Sequence, residues 1–256
     1  MRYFVSDIHL GAGSPEEQLT TERAFCRWLD MVGEDATELY LMGDIFDFWF
    51  EYRRVVPRGF VRVLARLAAL SDRGVRVVFY TGNHDMWCYD YLERECGIEL
   101  VRGPRVEVFD GRKVHLAHGD NLNIGNQPML KLMNTIFRSS VARTLFSWLV
   151  HPDLALKFGH WWSGKSRKSH NKTLMGVDNL SPLVEYARRH HAQNGDVEQY
   201  LFGHMHLPHT AHEEGFGVLF LGDWSASEAV YATMGDDNIL QLKTFTIDET
   251  VSRASR

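Results

Sequence analysis

The chain has 256 residues, 45% of them hydrophobic and 24% charged, with a formal net charge of −5. That balance excludes a disordered polyelectrolyte, leaves ample length to bury one core, and argues against a protein that binds nucleic acid across a broad basic face. Cys26, Cys88 and Cys96 are odd in number and lack metal-ligand spacing, so they read as reduced, buried thiols.

The opening Arg2–Asp7 contains too short an apolar run for a signal peptide. A later stretch from Ile136 to Val150 is interrupted by Arg138 and Arg143 and falls short of the roughly 20 apolar residues of a membrane span. The expected location is cytoplasmic. In chain order, strands are predicted at Tyr3–Val5, Leu39–Met42 and Val75–Thr81, with helices at Glu16–Met31 and Arg58–Asp72 between them. Arg105–Phe109 and Lys113–Ala117 flank Asp110-Gly111-Arg112 and predict a hairpin. Further strands are expected at Tyr200–Phe202, Val218–Leu221, Val230–Met234 and Leu240–Ile247. The pattern is that of an α+β protein with α/β-type units at its start, two sheets and outer helices, and one domain over residues 1–256.

Residues from about 121 to 176 interrupt the alternation with a helical insertion rich in Leu, Phe, Trp and Met. Its one acidic residue is Asp153, against eight lysines and arginines, an asymmetry in an otherwise acidic chain.

Five short motifs end or follow the predicted strands: Asp7-Ile8-His9, Gly43-Asp44-Ile45-Phe46-Asp47, Gly82-Asn83-His84-Asp85, His118-Gly119-Asp120 and Gly203-His204-Met205-His206. In an extended segment the i, i+2 spacing of Asp7/His9 and His204/His206 turns both side chains to one face. One DxH or HxH alone carries little weight, because most such pairs are surface or satisfied core groups. Five in succession, each behind an apolar run, point to a metal centre. Carboxylates from Asp7 and Asp44, imidazoles from His9, His118, His204 and His206, and the Asn83 amide oxygen form a borderline N/O donor set. Such a set suits Mn²⁺, with Fe or Zn²⁺ as alternatives, over Ca²⁺ or Mg²⁺. Seven donors exceed the needs of one tetrahedral ion and fit two ions about 3.5–4 Å apart, with Asp44 as the expected bridge.

The order DxH, GDxxD, GNHD, HGD, GHxH, spanning Asp7 to His206, resembles the calcineurin-like metallophosphoesterase superfamily. The resemblance implies a four-layer αββα sandwich, two divalent ions, and phosphoester hydrolysis by a water that the ions activate. It divides the donors into Asp7, His9, Asp44 and His206 around one ion and Asp44, Asn83, His118 and His204 around the other. It also makes His84 a catalytic group that reaches a phosphoryl or leaving oxygen without ligating metal. Asp85 is then expected to orient that imidazole, with Asp47 and Asp120 in similar supporting parts.

Because this superfamily acts on many phosphoesters, the insertion is the discriminator. A helical pair with a cationic mouth, Lys165-Ser166-Arg167-Lys168-Ser169-His170-Asn171-Lys172, would form a lid suited to an anionic head group carrying acyl chains. The run Gly43–Trp49, the placement of the insertion after Asp120, its closing basic stretch and Leu221-Gly222-Asp223-Trp224 resemble the UDP-2,3-diacylglucosamine pyrophosphohydrolases of lipid A biosynthesis. That resemblance implies an acylated UDP-sugar as substrate and peripheral contact with the inner face of an anionic membrane. Asn83, His84, Asn126, Lys168, Ser169, Asn171 and Lys172 become candidates for substrate contact. This chain departs from well-known members of that family in carrying His84 where they carry arginine. A hydrolase of soluble nucleotides or phosphodiesters, and a non-catalytic scaffold, are the alternatives. Oligomeric state has no signal in the sequence.

Overall fold

The computed structural model describes residues 1–122, 128–173, 180–224 and 227–247, the side chains of 128–131, 133 and 165–173 excepted. A six-stranded sheet has the order β11-β10-β1-β2-β3-β4: β1 (Arg2–Val5), β2 (Glu38–Leu41), β3 (Arg76–Tyr80), β4 (Glu99–Val101), β10 (Glu228–Met234) and β11 (Leu240–Thr246). A five-stranded sheet has the order β5-β6-β7-β9-β8: β5 (Arg105–Phe109), β6 (Arg112–Ala117), β7 (Val197–Phe202), β8 (His209–Glu213) and β9 (Phe216–Phe220). Strands β1 to β4 are mutually parallel, as are β6, β7 and β9.

Three apolar layers explain why the central strands are apolar on both faces. Phe4, Tyr40, Val78 and Tyr80 point from the first sheet towards Val114, Leu116, Leu201 and Leu219 of the second. Their neighbours Tyr3, Val5, Leu39, Leu41, Val77 and Phe79 point the other way, under α1 (Pro15–Val32), α2 (Val61–Asp72) and α3 (Tyr91–Cys96). On the far side, Tyr200, Phe202, Val218 and Phe220 pack with Leu183, Val184 and Ala187 of α7 (Ser181–Gln193). The period of two sorts each strand between layers, and the result is the αββα sandwich.

Helix α1 begins where Ser14 and Glu17 form a reciprocal capping box. Helix α2 begins at Val61, three residues later than the expected Arg58, because Gly59 and Phe60 both take positive φ and Phe60 becomes the cap. Helices α3 and α7 and the short strands β4 and β8 were not expected; α3 spans six residues and β4 three, too short to display a period.

Among its described residues the insertion forms three helices where a pair was expected: α4 (Pro128–Arg138), α5 (Ser140–Leu149) and α6 (Pro152–Thr173). It is docked onto the loops of the first sheet. Tyr52 donates to the Val150 carbonyl (2.9 Å), Trp87 Nε1 donates to the Phe137 carbonyl (2.9 Å), and the Phe50 and Phe146 rings lie 5.1 Å apart. Helix α6 turns Ala155, Gly159 and Ser163, spaced four apart, inwards. Gly159 meets the Phe48 ring so closely that a Cβ there would clash. No helix among the described residues is long and apolar enough to cross a membrane, and the three cysteines are free and buried.

Beneath α7, His115 of β6 stacks on Tyr200 (5.3 Å between rings), faces His190 (4.7 Å), and has Nε2 3.1 Å from the Tyr186 hydroxyl. Burial, then the neighbouring His190, pushes its pKa down from 6.5 to about 4. The unfolded chain therefore binds a proton that the native state refuses between those values, and stability falls as pH drops from 6.5 towards 4. Urea unfolding across that range is expected to show a shallower pH slope in His115→Gln than in the parent chain; equal slopes would contradict the assignment.

Candidate metal centre

Parallel strands deliver their carboxyl ends to one edge, and here both sheets do so side by side. Asp7 and His9 follow β1, Asp44 follows β2, Asn83 follows β3, His118 follows β6, His204 and His206 follow β7, and Asp223 follows β9. Backbone hydrogen bonds stitch the loops together: Asp7 N to Gly43 O (3.1 Å), His9 N to Asp44 O (3.0 Å), Gly203 N to His118 O (3.0 Å) and Trp224 N to Asp7 O (3.3 Å). Eight non-glycine residues among those described have positive φ, and five of them are Asp7, His9, Asp44, His204 and His206. Such backbone is unfavourable for residues bearing a Cβ, and its concentration at one edge marks a functional constraint.

Six of the seven expected donors come together in two groups, Asp7, His9 and His206 in one and Asp44, His118 and His204 in the other. Asp7 Oδ1 lies 3.2 Å from His206 Nε2 and 3.9 Å from His9 Nε2, and the two imidazole nitrogens are 3.2 Å apart. Asp44 Oδ2 lies 3.3 Å from His118 Nε2, and the ligand atoms of Asp44, His118 and His204 fall within 4.8 Å of one another. The groups Asp7/His9/His206 and His9/Asp44/His84 satisfy the same limit. His118 Nδ1 donates to the Met42 carbonyl (2.9 Å), which aims Nε2 at the cluster. His206 is oriented similarly by Asp223, 3.4 Å from its Nδ1.

Two observations fit this set to cations. Asn83 Oδ1 and His118 Nε2 are buried without a hydrogen-bond partner, in the manner of atoms that reserve a lone pair for a metal. Their neighbours are strongly perturbed. Burial opposes charge on Asp44, yet His118, His84 and His9 hold its carboxyl well below the usual range. Burial likewise opposes charge on His118, but Asp44, then Asp7 and Asp120, hold its imidazole well above the usual value. A carboxylate-rich, water-poor edge of this kind calls for positive charge.

GNHD divides its labour differently from the expectation. The Asp85 carboxylate does not reach His84. It accepts from Gly82 N (2.7 Å) and Ile45 N (2.8 Å) and so ties the β2 and β3 loops to each other; burial, then the Asp44 carboxylate, pushes its pKa up to about 7. The His84 imidazole is oriented by Asp47 instead: Nδ1 donates to the Asp47 carbonyl (2.8 Å), and Nε2 is left facing Asp44 Oδ2 at 3.9 Å. Asp120 pairs with Arg138 of α4 (2.7 Å), linking the site to the insertion.

Sequence reasoning missed two residues of α6. Ser163, fully buried, donates to the Asp47 carboxylate and has its Oγ 2.9 Å from His84 Nδ1. His160 Nδ1 lies 3.4 Å from Asp47. Both sit in a helix whose sequence gives no sign of the site. Asp223, in contrast, stands in a Gly-Asp pair behind a strand, the same signal as Asp44. Of the expected substrate contacts, Asn126 lies outside the described residues. Lys168, Ser169, Asn171 and Lys172 fall in the last turns of α6, where the description extends to the helical backbone.

The calcineurin-like phosphoesterase family model matches residues 3–208. The chain belongs to that family. Among curated relatives, a UDP-2,3-diacylglucosamine hydrolase from Porphyromonas gingivalis is 39% identical over 236 residues, covering 87% of this chain and 89% of its own length. Another, with the same name, from Neisseria meningitidis serogroup A, is 30% identical over 226 residues with the same coverages. Among solved structures, an archaeal phosphodiesterase aligns with a TM-score of 0.48 at 10% identity, covering 95% of this chain and 99% of that one.

Gly43 and Gly82 press against each other at the centre. A Cβ on Gly43 would lie 2.6 Å from His118 Nδ1, and one on Gly82 would overlap the Asp44 carboxylate. Gly82→Ala is expected to lower bound Mn²⁺, measured by elemental analysis after gel filtration, from two ions per chain to one or none while leaving far-ultraviolet circular dichroism intact. Two retained ions would refute the close-packing account.

Proposed function

We propose that this phosphoesterase hydrolyses the diphosphate of UDP-2,3-diacylglucosamine, releasing UMP and 2,3-diacylglucosamine 1-phosphate. The observation that carries the reading is the docked insertion. It meets the metal edge through Ser163 and His160 and exposes apolar residues on its helices, in a chain similar over most of its length to proteins bearing that substrate's name. A soluble nucleotide would need no such apolar surface.

In this reading Asp7, His9, Asp44 and His206 hold one divalent ion, and Asp44, Asn83, His118 and His204 hold the other, with Mn²⁺ as the expected metal. Bound there, the ions would act as Lewis acids and lower the pKa of water from about 15.7 towards 7. The chain's own residues do the positioning. His84, held by the Asp47 carbonyl and Ser163, presents Nε2 to a phosphoryl or leaving oxygen. Asp85 acts as a brace between loops and not as a proton carrier.

Residues 1–256 form one domain in this reading, with the insertion as a lid. Val141, Leu145, Trp148, Leu149, Phe158 and Trp161 are exposed on it, Trp148 to 85%. An apolar surface beside cationic residues suits peripheral contact with an anionic bilayer, in which a diacylated substrate resides.

The test is release of UMP from UDP-2,3-diacylglucosamine by Mn²⁺-loaded protein, beside UDP-glucose and bis-p-nitrophenyl phosphate. Turnover of the acylated substrate is expected to fall about 10²–10³-fold in Asp44→Ala, the range typical of losing a charge-stabilising group. Turnover confined to the unacylated diester would discard the lipid substrate. Ser163→Ala should lower kcat by about 10-fold with little change in metal content, since the hydroxyl orients a general acid-base group without ligating metal. Trp148→Glu is expected to reduce sedimentation with anionic vesicles at low salt, and unchanged sedimentation would remove the membrane contact.

A further inference from the structure

Where the insertion meets the catalytic edge there is a cavity of about 190 Å³, lined by Arg102, Arg138, Arg143, Trp87, Tyr89 and Thr81 among others. Thr81 lies two residues before Asn83 and Trp87 three after His84, while Arg138 is paired with Asp120, two residues beyond His118. The cavity therefore borders the centre through the loop after β3 and, by way of Arg138, the loop after β6.

Its charge is only partly compensated. Arg138 has Asp120 as partner, but Arg102 donates to the carbonyls of Cys88 (3.2 Å) and Tyr89 (2.8 Å), and Arg143 lies over the Tyr89 ring at 3.8 Å. Among the described residues neither Arg102 nor Arg143 forms an ion pair with a carboxylate. Ser139, the N-cap of α5, adds the positive end of that helix to the lining. At the metal edge, Asp7, Asp44 and Asp47 each have histidines within ion-pair distance. Arg102 and Arg143 thus place fixed cationic charge beside that edge. Guanidinium groups beside aromatic rings recognise a phosphate attached to a planar or ring-bearing group.

We propose that this cavity is an anion subsite for the phosphate-bearing half of the substrate that the metal centre does not hold. The inference rests on the diphosphate reading given above. Hydrolysis forms one P–O bond from water and breaks the bridging P–O bond, so each half departs as a phosphomonoester. The cavity retains one of them as product. The shared chemistry is a phosphomonoester on a ring, from either the nucleotide or the sugar.

Calorimetric titration of the full chain, in EDTA and again with Mn²⁺, with UMP, glucosamine 1-phosphate and inorganic phosphate separates the sources. One organic phosphate is expected to bind in both conditions and to weaken at least tenfold in Arg143→Gln, with only partial recovery in Arg143→Lys, which keeps the charge but not the planar fork, and an unchanged near-ultraviolet spectrum. Preference for UMP assigns the cavity to the nucleotide, and preference for glucosamine 1-phosphate assigns it to the sugar. Absence of binding, or binding that survives Arg143→Gln, overturns the subsite. Failure to hydrolyse UDP-2,3-diacylglucosamine would instead overturn the function and leave these titrations to be judged separately.

Discussion

The Asp44 carboxylate is the constraint on which the centre depends. Its Oδ1 accepts from His84 N (2.9 Å), its Oδ2 faces His118 and His84, and its own backbone sits at φ 53° between the β2 and β3 loops. This geometry requires both loops to approach within backbone contact, which is why Gly43 and Gly82 lie against each other. It also requires a brace, supplied by Asp85. A buried carboxylate with this many donors is favourable in place, whereas its removal would strand two imidazoles and a peptide N–H without water to replace it.

Five left-handed residues at one edge store strain, on the order of 1 kcal/mol or more each. The three apolar layers behind that edge over-determine it. Strands β1, β2 and β3 are held by core side chains on both faces, so the loops that follow them begin from fixed points. The aromatic pair Phe4 and Tyr40, stacked at 4.8 Å between the sheets, belongs to the same strands that carry Asp7 and Asp44. Packing and chemistry therefore share their foundations.

The donor set was legible because every ligand candidate stands behind an apolar strand and each loop is short. Period and punctuation are local properties, and the parallel order of the strands then carries them to one place. Asp85 was misread because adjacency in GNHD suggested contact with His84, whereas the turn points the two side chains apart, one into the β2 loop and one towards Asp47. Ser163 and His160 were invisible for a different reason. They lie 116 and 113 residues from Asp47, and such pairings arise only when α6 is laid over the sheet edge. Arg102 and Arg143 likewise acquire a common surroundings only through docking of the insertion.

The inward ladder Ala155, Gly159, Ser163 has a further consequence. Its small residues let α6 approach the Phe48 ring and the Asp47 loop closely, and its last member lies 2.9 Å from the His84 imidazole. Helix α6 is thus latched to the metal edge by a buried hydroxyl. Unseating it would take a buried partner from Asp47 and His84, so the seating of the helix and the arrangement of those two side chains favour each other by one and the same free energy.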